Sequence, residues 1–212
     1  MAAHAHMPSS RARAWVAVRG RLIAPDPAAE RQLAEEARHD PDAFADLYRL
    51  YVDRVFSFIH RRCGSKELAE DLTAVTFERA LAGINGFKWR RGGIAPWLFR
   101  IASNQLTDHY RRTARRSGDR GQRAIDRLHD RVAVDEIDHL DAEHDAARVR
   151  GALDNLNPRY QRALSVRYLA ELNQAEAAAA MGLAKPAFAV LLHRATVALQ
   201  RELENKSEMG ER

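Results

Sequence analysis

Between Ser65 and Arg116 two apolar patterns of helical spacing flank a short break rich in glycine, aromatics and cations. No other stretch restricts the fold as much. The first pattern reads SKELAEDLTAVTFERALAGI, with Ser65 as a helix cap. At 100° per residue, Ala69, Leu72, Thr76, Ala80 and Ile84 fall on an inner face. Asp71, Ala74, Val75 and Glu78 fall on an outer one. Two acids beside a small apolar pair fit a docking surface for a basic partner, and equally a solvated helix face.

The break, Gly86 to Pro96, holds Phe87, Lys88, Trp89, Arg90 and Arg91 before Gly92-Gly93. The glycines predict a flexible loop. Aromatics interleaved with cations can stack on unpaired bases and grip phosphates, although a plain basic hinge has the same composition. Pro96 then opens a second helix with Leu98, Ala102, Leu106 and His109 on its inner face. Trp97, Asn104, Asp108, Arg111, Arg112 and Arg115 line the opposite face. From Lys88 to Arg116 the cations also include Arg90, Arg91 and Arg100, and Asp108 is the only acid. Such a stripe binds a phosphate backbone in a salt-dependent way, and Asn104 is a residue type that reads base edges. His109 reads as a core histidine.

Upstream, Asp40-Pro41 starts a helix whose apolar positions run Phe44, Leu47, Tyr48, Tyr51, Val55, Phe58 and Ile59. It ends at Arg61-Arg62-Cys63-Gly64, a glycine C-cap preceded by cations. Residues 1–28 read as a mobile tail: their apolar stretch is short and interrupted by arginines, unlike a secretory signal. A formal net charge of +5 and a pI near 9.7 favour an anionic partner. The single cysteine, Cys63, excludes an internal disulfide and a Cys-based zinc site, and favours a reducing, cytoplasmic setting. No apolar run approaches the ~20 residues of a membrane span, so no membrane insertion is expected.

Residues 117–140 read as a flexible linker that turns acidic (Asp135, Glu136, Asp138), and the acidic run continues into Asp141, Glu143 and Asp145 with His139 and His144 nearby. No recognised metal-ligand spacing appears, so no metal is assigned. The second half is helical. Val149, Ala152, Leu153 and Leu156 form one stripe. Asn157-Pro158 starts a helix, and Asn173 with Glu176 forms a capping box. Gly182 ends that helix before a longer one from Lys185. Two helices joined by a tight glycine turn fit a helix-turn-helix, or a generic bundle.

With these residues in view, AEDLTAVTFERAL followed by PWLFRIASNQLTDHYRR resembles region 2 of the extracytoplasmic-function sigma factors. LNPRYQRALSVRYLAELNQAEAAAAMGLAKPAFAVLLHRATVAL is similar to that family's region 4. The resemblance implies an all-α chain of two small helical domains joined by a flexible linker. Region 2 would span 29–116, the linker 117–140, region 4 141–205 and a C-terminal tail 206–212. It implies that Asp71, Ala74, Val75 and Glu78 contact the β′ clamp helices of core RNA polymerase, with region 4 on the β flap. It implies that Lys88, Trp89, Arg90, Arg91, Trp97, Arg100, Asn104, Asp108, Arg111, Arg112 and Arg115 recognise and melt a −10 promoter element. Lys185, Ala187, Val190, His193 and Arg194 would face the −35 element.

Two positions depart from the family pattern. Ala74-Val75 replaces its usual Gln-Glu pair. The last long helix carries Ala187, Ala189, Val190 and Leu191 where polar or basic residues are common, leaving few groups for base readout. Either the −35 element is read weakly, or a protein such as an anti-sigma factor covers this surface. The expected function is promoter-directed transcription initiation, cytoplasmic and nucleoid-associated, with no cofactor and no catalytic residues. The alternative is a helix-turn-helix regulator that binds duplex DNA alone. A metal-dependent hydrolase built on the acidic segment is the remaining rival; no nucleotide-binding glycine loop or nucleophile–base motif accompanies it.

Overall fold

The computed structural model describes residues 17–18, 21–22, 27–90, 92–117 and 137–210. Ala17–Val18 (β1) and Arg21–Leu22 (β2) pair antiparallel within the stretch expected to be a tail. Among the described residues all other regular structure is helical. The first half holds α1 (Pro27–Glu36), α2 (Pro41–Cys63), α3 (Lys66–Gly83), a 3-10 turn (Ile84–Gly86) and α4 (Ala95–Ser117). The second holds α5 (Ile137–Asp154), α6 (Pro158–Leu164), a π turn (Ser165–Leu169), α7 (Gln174–Met181) and α8 (Lys185–Gly210).

The helix ends follow local chemistry. Asp40 caps α2 by accepting from the Asp42 amide, and Gly64 closes it in left-handed backbone at φ 71°. The Ser65 side chain accepts from the Leu68 amide. Asn157 caps α6 with Pro158 in its first turn. Asn173 and Glu176 complete a capping box on α7, which Gly182 terminates at φ 68°. Helix α5 begins at Ile137, ahead of the boundary expected at 141.

The inner stripe of α2 is buried as its spacing predicts: Leu47, Val55, Phe58 and Ile59 are inaccessible and Tyr51 nearly so. Helices α1, α3 and α4 pack on α2 or on one another, with Phe58 edge-on to Phe99 at 5.4 Å. In the second half, Leu153, Leu156, Leu164 and Ala195 form a small cluster between α5, α6 and α8.

The larger core does not stop at the boundary between the halves. Ala163, Val166, Leu172, Ala177, Ala178 and Phe188 belong to the same buried cluster as the α2–α4 stripe. Helix α7 lies on α4, and the π turn lies on α2. At this seam Arg62, 3% exposed, pairs with Asp154 at 2.7 Å and donates to Gln161 Oε1 at 2.9 Å. The Arg62 guanidinium also sits 5.0 Å from the Tyr110 ring centre. A buried ion pair of this kind gives directionality to packing more than net stability.

Candidate nucleic-acid interface

The loop after α3 is held rather than loose. Phe87 is buried at 6% exposure, with its ring 5.0 Å from Trp97 and 6.3 Å from Trp89. It therefore serves as the hydrophobic foot of the loop, and Trp89 and Trp97 are half-buried against it. The Arg38 guanidinium donates to the Phe87 carbonyl at one end of the loop. Glu30 holds the other end. One oxygen of its carboxylate accepts from the Ile94 amide at 3.1 Å and from the Tyr51 hydroxyl at 2.8 Å. Glu30 is only 8% exposed, and this hydrogen bonding satisfies a carboxylate that burial would otherwise penalise. Burial, followed by the Glu30 charge, pushes the Tyr51 phenol well above its ordinary range.

The two loop glycines are a steric requirement at one point. Gly92 and Gly93 have φ of 103° and 74°, and a Cβ at Gly93 would stand 2.7 Å from Glu30 Oε1. Sequence reading missed Glu30 and Arg38 altogether. They lie on or just after α1, far from the loop in sequence, and a lone acid in a helical pattern ordinarily signals a solvated face.

Lys88 and Arg90 are exposed on the pinned loop; Arg91 lies outside the described residues. On α4, Arg100, Asn104, Arg111, Arg112 and Arg115 are exposed, and Trp97 and Asp108 are half-buried. His109 is half-buried rather than in the core; burial and then the neighbouring Arg112 charge hold its imidazole below the usual range. Lys88, Arg90, Arg100, Trp97 and Pro96 line a recess of about 460 Å³ with no carboxylate in its wall. Its remaining side is formed by Ala179, Gly182 and Leu183 from the second half. Helix α7 and the turn after it thus cover the cationic recess in this arrangement, with Glu176 packed on Gly92.

On α3, Asp71, Ala74 and Glu78 are exposed and Val75 is half-buried. Two further apolar side chains flank this face: Leu81 is 53% exposed, and Tyr48, 42% exposed, touches Phe77 edge-on at 4.7 Å. Leu81 falls on the Ala74–Glu78 side because seven and three residues separate them along a helix.

Helices α7 and α8 meet at 94°, a helix-turn-helix angle. Phe188 and Ala195 are buried, so Lys185, Ala187, Val190, His193 and Arg194 are left exposed, with Val190 at 54%. Leu191, in contrast, is 8% exposed and belongs to the core. Among the described residues no group of three or more His, Cys, Asp or Glu side chains gathers as metal ligands. Asp135 and Glu136 lie outside the described residues, and Glu143, His144 and Asp145 are exposed on α5. No single described helix is long and apolar enough to cross a membrane.

A helical bundle with a cationic, aromatic loop, followed by a helix-turn-helix, is an all-α architecture of the DNA-binding class. Residues 47–116 match the Sigma-70 region 2 family model and residues 146–199 the Sigma-70, region 4 model. The chain is 35% identical to the ECF RNA polymerase sigma factor BldN of Streptomyces coelicolor, over 84% of this chain and 67% of that protein. It is 29% identical to the ECF sigma factor SigM of Bacillus subtilis, over 71% of this chain and 88% of the relative. The chain belongs to the extracytoplasmic-function sigma factors. Its fold is similar to that of CnrH in complex with the cytosolic domain of CnrY (TM-score 0.60, 23% identity, 85% of this chain and 99% of that one). It is also similar to that of RpoE with the anti-sigma factor NepR from Bartonella quintana (TM-score 0.54, 23% identity, 76% and 96% covered).

Proposed function

We propose that this sigma factor docks on core RNA polymerase through α3, opens the −10 element with the Phe87–Ile94 loop and α4, and contacts the −35 element through α8. The observation that carries this reading is the pinned recess. Lys88 and Arg90, on a loop anchored at both ends, line one recess with Trp97 and Arg100 of α4, and no carboxylate lines it. A base flipped from the duplex loses stacking worth a few kcal/mol, and an aromatic wall with cations for its phosphates offsets that loss. Asp71, Ala74, Val75 and Glu78, extended by Leu81 and Tyr48, form the surface for the β′ clamp helices. Region 4 would lie on the β flap. The role is one of binding and strand separation, not catalysis, and it belongs in the cytoplasm at the nucleoid.

The closed arrangement cannot serve this function unchanged. Elements about 25 base pairs apart lie roughly 85 Å apart along B-DNA at 3.4 Å per pair. A compact chain of 212 residues has a radius of gyration of only about 17 Å. Promoter binding therefore requires the halves to part. The 19 residues 118–136 between α4 and α5 can reach about 65 Å when extended, which suits a linker between regions 2 and 4. The exposed Val190 side of α8 suits an anti-sigma factor, the partner seen in the solved complex of RpoE.

Run-off transcription with purified core polymerase on genomic promoter fragments tests the reading. Discrete, protein-dependent starts are expected. Absence of transcripts together with absence of co-elution with polymerase would refute it and favour a regulator that binds duplex DNA alone.

A further inference from the structure

The seam between the two halves forms a half-open pocket of about 230 Å³ whose wall contains three arginines and no carboxylate. Arg62 enters from α2, Arg111 from α4 and Arg162 from α6. The volume far exceeds the ~30 Å³ occupied by one water in the liquid. Arg62 Nη1, Arg162 Nε and Ser165 Oγ are all buried without a hydrogen-bonding partner among the described residues. Arg62 and Ser165 are themselves only 3% and 4% exposed. Asp154, which does not line the pocket, pairs with Arg62 through Nη2 and leaves Nη1 unpaired, and its own Oδ2 is likewise buried without a partner. Arg162 Nη2 reaches the Ala180 carbonyl at 3.4 Å, while its Nε is buried without a partner.

Unpaired buried donors are costly, about 1–3 kcal/mol each and more when charged. Several of them converging with like charge make a site for an anion. Burial, and then the charge of Arg100, lowers the Arg162 guanidinium from its ordinary range, a cost that an anion would relieve. The guanidinium fork matches tetrahedral oxyanions, and the remaining wall contains Phe58 and Leu106, so an organic group could accompany the anion. Ser165 opens the π turn, a backbone irregularity that often accompanies functional sites.

We propose that this cavity binds a small phosphate-bearing molecule, held by Arg62, Arg111, Arg162 and Ser165. The ligand bridges both halves, so it binds the closed chain and not the parted one. Such a ligand stabilises the closed state by mass action. Arg111 belongs both to this cavity and to the DNA stripe of α4, so the ligand and promoter DNA oppose each other, each weakening the other by the same factor. That regulatory consequence rests on the opening proposed above, whereas the binding itself does not.

Isothermal titration calorimetry of the full chain, at ionic strength matched with potassium chloride, tests the site. The probes are inorganic phosphate, pyrophosphate and ATP. We expect saturable binding of one molecule per chain for at least one probe. Binding of the first two identifies a free oxyanion, and binding of ATP alone a nucleotide. Arg162→Gln should weaken it about ten-fold and Ser165→Ala several-fold, from the loss of charge-assisted and neutral hydrogen bonds. Arg49→Gln, remote from the cavity, should leave it unchanged. Circular dichroism confirms that the variants are folded, and Ser165→Ala keeps the test valid if Arg162→Gln is not. Absence of saturable binding with all three probes overturns the proposal. So does binding that survives both cavity substitutions but is lost in Arg112→Gln, because the anion then sits on the exposed DNA face. Loss of the ligand would leave polymerase-dependent transcription intact, so failure here differs from failure of the sigma-factor reading.

Discussion

Replacing Glu30 tests whether the loop proposed to melt the promoter is positioned from α1. A single oxygen, Oε1, accepts from both the Ile94 amide and the Tyr51 hydroxyl. Ile94 is inaccessible and Tyr51 is 1% exposed, so neither donor can turn to water when that oxygen is removed. At about 1–3 kcal/mol for each of the two orphaned donors, Glu30→Ala should cost roughly 2–6 kcal/mol. Glu30→Gln keeps an acceptor at the same place and loses only the charge assistance, so about 1 kcal/mol is expected. Tyr51→Phe removes one donor and should fall between the two. Urea denaturation measures the stabilities, and amide exchange measures the Ile94 proton directly. The loop should exchange much faster in Glu30→Ala while α8 is unaffected. Open-complex formation should fall on duplex promoter and recover on a template melted beforehand, because only loop placement has been lost. If Glu30→Ala shifts stability by less than about 0.5 kcal/mol and leaves Ile94 exchange unchanged, the two hydrogen bonds do not hold the loop and the reasoning fails.

Asp154→Asn should part the halves, because it strands the buried Arg62 charge at a cost of roughly 3–5 kcal/mol to the closed form; small-angle scattering would record a larger radius of gyration. Asp71→Lys with Glu78→Lys should weaken polymerase binding about ten-fold, mainly at low salt, and leave thermal stability nearly unchanged; surface plasmon resonance at two salt concentrations checks both the size and the salt dependence. Trp97→Ala should cost about 1–3 kcal/mol of strand binding through lost stacking, measured by anisotropy with single-stranded −10 DNA. The phenol of Tyr110 is pushed up to about 12 by burial, while its unfolded value stays near 10. Above pH 10 the unfolded chain releases this proton first, so the Tyr110 contribution is complete below pH 10 and is lost as pH rises toward 12. Tyr110→Phe should flatten that alkaline decline in thermal melts.

The sequence by itself determined most helix ends from α2 onward. Asp40, Gly64, Ser65, Asn157, the Asn173–Glu176 box and Gly182 act on backbone groups within four residues, so their effect can be read from spacing alone. The inner faces of α2 and α3 were equally legible, because a 3.6-residue period fixes which side chains share a side. The same is true of the exposed cations of α4. Tertiary structure alone decided how the loop between α3 and α4 is held. Glu30 meets Ile94 across 64 positions of sequence and Arg38 meets Phe87 across 49. No periodicity links residues so distant, and a glycine-rich basic stretch reads as mobile until those partners are seen. The same limit explains Phe87, whose place in a cationic loop gave no sign that its ring is buried. It also explains the seam between the halves, where Arg62 reads as a cation at a helix C-terminus. Burial turns it into the partner of Asp154 and a wall of a cavity, because the chain must satisfy in space a charge that it cannot leave in water.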